Sequence, residues 1–99
     1  MKIYTPEEEV IRAGRAREVL ENDLFKEAFA NIEEAILDGI RRSAFVDALL
    51  REKLCAQYSL LHTLRDQLTT FMETGQMAAE TIRQQSIAEK VKNLWQRTG

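Results

Sequence analysis

Apolar residues recur along most of the chain at steps of three, four and seven, the spacing of a helix with one buried face. The clearest run is Leu50, Leu54, Leu61, Leu64, Leu68 and Phe71, widened by Tyr58, Leu60 and Met72. It predicts a long helix over 47–74, about 40 Å in length, on which the rest of the chain packs. Asp47 is its expected N-cap, with an earlier start at Ser43 as the alternative. Thr74-Gly75 is its expected stop, with Gly75 in the left-handed conformation that closes many helices. Phe45 and Val46, just before it, are expected to fold back onto the core.

Three more helices frame this one. Thr5-Pro6-Glu7-Glu8 is a start signal: a capping threonine, proline at the first helical position and glutamate completing a capping box. The helix it opens, about 6–21, has a thin stripe of Val10, Ala13, Arg17 and Leu20, which predicts the least stable of the long helices. Asn22 caps a second helix, about 23–42, with Phe25, Phe29, Ile32 and Ile36 on its buried face and Arg41 and Arg42 in its last turn. Gly39 continues that stripe, marking either a close helix contact or a weakening near the end. The last helix, about 77–95, has Ile82, Ile87, Val91, Leu94 and Trp95, but a polar middle at Gln84-Gln85-Ser86. Strict polar/apolar alternation is absent, so strands are not expected. The expectation is an all-α fold: an elongated bundle of four helices forming one domain over 1–99.

Composition narrows function mainly by exclusion. Charged residues are 30%, hydrophobic residues 44% and the net charge is −2, so no overall pull toward nucleic acid exists. No apolar run is long enough for a membrane span and no targeting signal is visible, which makes the cytoplasm the expected compartment. The single cysteine, Cys55, cannot form an internal disulfide and reads as a small, partly buried apolar residue. The single histidine, His62, falls off the main stripe and is expected to face solvent. Neither has a metal-binding partner at ligand spacing. No phosphate loop or nucleophile elbow appears. The chain is read as a non-enzyme with no catalytic residue, metal, cofactor or small-molecule substrate. Glu7, Glu8 and Glu9 suit a helix start, and Glu33 and Glu34 are placed on the outer face of the second helix.

Two surfaces could meet a macromolecule. Arg12, Arg15 and Arg17 form a basic cluster that could touch phosphates, though Glu8, Glu9 and Glu18 lie among them. The stronger signal is surplus apolar surface. Leu49, Tyr58, Leu60 and Met72 exceed what the stripe of the third helix needs, and Leu94 and Trp95 end the fourth. Surface of this kind marks a partner site.

Short segments carry a resemblance: Arg51-Glu52-Lys53-Leu54, Glu73-Thr74-Gly75-Gln76-Met77-Ala78, and the stretch from Arg15 to Asn22 with Leu24-Phe25 and Glu27-Ala28-Phe29. In these the chain resembles a family of short helical proteins encoded in tailed-phage and prophage genomes, near head and DNA-packaging genes. The resemblance implies a setting in virion assembly or genome packaging, in the cytoplasm of an infected host or within the virion. The leading expectation is a virion structural or assembly protein that binds itself or a larger virion protein through the apolar residues named above. The alternatives are a small DNA-packaging (terminase-type) subunit using Arg12, Arg15 and Arg17, and a phage-encoded inhibitor of a host protein presenting the acidic face of the second helix.

Overall fold

The computed structural model describes residues 3–43 and 46–98, the last two by backbone alone. It is all-helical among the described residues, with three helices rather than four: α1 (Pro6–Glu21), α2 (Asp23–Arg42) and α3 (Ala48–Thr98).

The local start signals act as their chemistry requires. Glu8 N–H donates to Thr5 Oγ1 at 3.2 Å, and Thr5 N–H donates to Glu8 Oε1 at 3.3 Å. Asn22 both ends α1 and starts α2. Its extended backbone breaks the helix, its N–H donates to Val19 O, and its Oδ1 accepts from Phe25 N–H at 2.9 Å. Asp47 Oδ1 accepts from Leu50 N–H at 3.2 Å and so caps α3.

α1 and α2 lie end to end as one arm, broken at Asn22, and both run antiparallel to α3. Gly75 sits against Ala13, His62 beside Phe29, and Leu54 over Gly39. As residue numbers rise along the first arm, those of its neighbours on α3 fall. The result is a hairpin 81 Å long and 26 × 19 Å across, with a radius of gyration of 22.0 Å. A compact chain of this length has a radius of about 13 Å. The 51 residues of α3 exceed the 36 of α1 and α2 together (16 and 20). Its last part therefore projects, and every residue from Arg83 to Gln96 is exposed.

The expected break at Gly75 does not occur. No glycine among the described residues has positive φ, and Gly75 is a buried residue inside α3. The reason is tertiary. A Cβ built on Gly75 would stand 2.1 Å from Ala13 Cβ and 2.9 Å from Glu9 O, so glycine is what lets α1 approach α3. Ala16 and Ala78 are buried on the same two helices. Because small side chains bring the backbones together, α1 packs more extensively on α3 than α2 does. The expected apolar stripe of α1 is thin. That stripe is also rotated: Ala16 is buried, whereas Val10 and Arg17 are exposed.

The core is slight. Ala16, Phe29, Ile36 and Ala78 are buried, and no large side chain described is fully enclosed. Val46 is almost wholly exposed rather than folded inward; the expectation for Phe45 falls outside the described residues. No described helix is long and apolar enough to cross a membrane.

Candidate helix-docking surface

The seam between α2 and α3 has two unlike edges. Residues two apart on a helix point in nearly opposite directions, so Tyr58 and Leu60 on α3 face different edges, as do Glu33 and Ala35 on α2.

The first edge is closed by a polar clamp. His62 Nε2 lies 2.6 Å from Glu33 Oε2, and Arg65 Nη2 lies 3.0 Å from His62 Nδ1. Arginine can only donate, so Nδ1 accepts. In this arrangement Nε2 faces the Glu33 carboxylate as the donor. The ring stands edge-on to Phe29, with centroids 5.5 Å apart, and against Tyr58 at 4.4 Å. The Arg65 guanidinium lies over the Phe29 ring, 4.7 Å from its centroid. His62 is thus half-buried, not solvent-facing, and Glu33 turns inward rather than out. Both were misplaced because their partners come from the other arm. Cys55, expected to be partly buried, is exposed.

The second edge is open. A groove of about 750 Å³ runs along it, lined by Ile32, Ala35, Ile36, Leu54, Gln57, Leu60, Leu61, Thr63 and Leu64, none of them charged. Leu60 is 69% exposed, Leu64 53% and Ile32 49%. Two helices have only one contact line between them, and the third side of a leucine on that line faces water.

The residues predicted to meet a partner divide accordingly. Leu60 lines the groove. Leu49, at the start of α3, is exposed as well. Tyr58 belongs to the clamp, and Met72 is half-buried. Leu94 and Trp95 are exposed on the projecting end of α3, at 67% and 75%, far along the chain from the groove. The structure therefore does not gather these six residues into one patch. Ala35 and Gln57 join the groove without having been singled out, and Ile32, expected on the buried face of the second helix, stands half exposed at its margin because no third helix covers it.

The basic cluster is also divided. The Arg12 guanidinium is sandwiched between Tyr4 and Phe71, 4.1 and 4.3 Å from the ring centroids. Such stacking is a cation–π contact, and it turns this charge inward along the α1/α3 seam. Arg15 and Arg17 are exposed. On the projecting end, Arg83 donates to both carboxylate oxygens of Glu80 at 2.6 and 3.1 Å. These hydrogen bonds hold the Glu80 carboxyl below the usual carboxylate range. Among the described residues no group of three His, Cys, Asp or Glu side chains could hold a metal ion.

Compared with protein-family models, curated proteins and solved structures, the chain matches none of them.

Proposed function

We propose that this chain is a non-enzymatic phage virion structural or assembly protein, acting through helix–helix contacts with itself or with a larger virion protein. The observation that carries the reading is the open apolar edge, with Leu60, Leu64 and Ile32 in a charge-free groove that a two-armed hairpin cannot cover. Contiguous apolar surface of this kind costs solubility and is kept where a partner buries it. The phage setting comes from the resemblance of the segments around Arg51–Leu54 and Glu73–Ala78 to short proteins of head and packaging gene clusters. Leu49 and the exposed pair Leu94 and Trp95 supply further apolar contact points, one near the hairpin turn and one on the projecting end. A long rigid helix with contact points at both ends suits a connector or scaffold.

The test is deletion of the gene from a phage or prophage that carries it, followed by electron microscopy of the particles. Loss of finished, filled heads, restored by the wild-type gene in trans, is the expected result. Normal particle yield and DNA content without the gene would overturn the assignment.

A further inference from the structure

We infer that the open α2/α3 edge is covered by the same edge of a second copy of this chain, giving a four-helix layer about a two-fold axis. The inference rests on the reading above, that the protein works through helix–helix contacts, and names the partner.

Three observations converge on a second copy. The first is area. The chain exposes 8103 Å², against about 5,800 Å² for a compact protein of this mass. That excess, roughly 2,300 Å² (8103 − 5,800), is shared between the projecting end of α3 and the open edge, where Leu60, Leu64 and Ile32 stand about half exposed or more; a standard interface takes ~800 Å² from each partner. The second is charge. The groove lining has none, so it asks for no oppositely charged partner and can meet its own image without like charges opposing. An isologous contact places each residue of the patch against the same patch. The lining also alternates in size, with Ala35 and Thr63 beside Ile32, Leu60 and Leu64, which lets large side chains of one copy enter the shallow places of the other. The third is the closed edge. The clamp of Glu33, His62 and Arg65 seals the other side of the seam, so added helices can reach the half-buried leucines from one side only.

The experiment is sedimentation velocity on the full chain from low to high micromolar concentration, with circular dichroism on each variant. The wild type is expected at twice the mass of one 11.4 kDa chain. Leu60→Asp buries a carboxylate at the centre of the patch and is expected to weaken association roughly thirtyfold or more, the loss of a central interface position. Thr63→Arg, on an exposed residue that adds bulk and charge to the same edge, guards against Leu60→Asp merely unfolding the chain. Ile87→Asp, on the projecting end, is expected to leave the dimer intact. A wild type of single-chain mass at every concentration would overturn the inference, as would a dimer that survives both groove variants or fails in Ile87→Asp alone. A monomer whose gene is still required for head formation would sink the self-docking inference and leave the assembly reading standing.

Discussion

The two halves of the hairpin solve the same problem in opposite ways. Along α1 the seam with α3 is made of Ala13, Ala16, Gly75 and Ala78, and the backbones approach until a single added Cβ would collide. Along α2 the seam is made of Phe29, Ile36, Leu54 and Leu61, with Ile32, Leu60 and Leu64 at its margin. Small residues can be satisfied by two helices because the neighbouring backbone itself covers them. Large residues hold the axes apart, and their outer surface needs further helices. One chain thus combines a seam that two helices complete with a seam that they leave unfinished.

Three glycines sharpen this contrast, because each lies in a helix with a different amount of room. Gly75→Ala has the largest expected effect. A helix interior normally gains about 1 kcal/mol from this exchange. Here the new methyl meets Ala13 Cβ and the Glu9 carbonyl, neither of which can move without shifting α1. Overpacking of this kind costs about 1–3 kcal/mol, so urea denaturation should show a net loss and not the usual gain. Gly14→Ala, with nothing within 4 Å of the new methyl, should stabilise by about 0.5–1 kcal/mol in the same assay. Gly39→Ala should fall closest to zero. Its methyl would come 3.2 Å from Leu54 Cδ1, a flexible side chain at the loose seam, so the propensity gain and a small repacking cost offset each other. Equal effects at Gly75 and Gly39 would erase the distinction between the two seams.

What could be read from the sequence was local. The capping box at Thr5, the shared cap at Asn22 and the cap at Asp47 each depend on side chains within three residues, and all three are in place. The surplus of apolar surface at Leu49 and Leu60 was legible from counting positions beyond one stripe. Gly75 was misread because its local signature, Thr-Gly at the end of a periodic run, is that of a helix stop. Its real constraint comes from Ala13 and Glu9, more than sixty residues earlier in the chain. The count of four helices followed from that error. His62 and Glu33 were sent to solvent for the same reason: each is explained only by the other, across the seam.

The continuity of α3 through Gly75 is the claim on which the open hairpin, its projecting end and its unfinished edge all depend. It is tested most directly by a spin-label distance between Cys55, the exposed and only cysteine, and a second cysteine introduced as Gln85→Cys, with labelled chains diluted into unlabelled ones. An unbroken helix puts the two positions, 30 residues apart (85 − 55), about 45 Å from each other. A distance near 45 Å is the expected result. A chain that turned back at Gly75 would bring them to about 15 Å, and that distance would contradict the account.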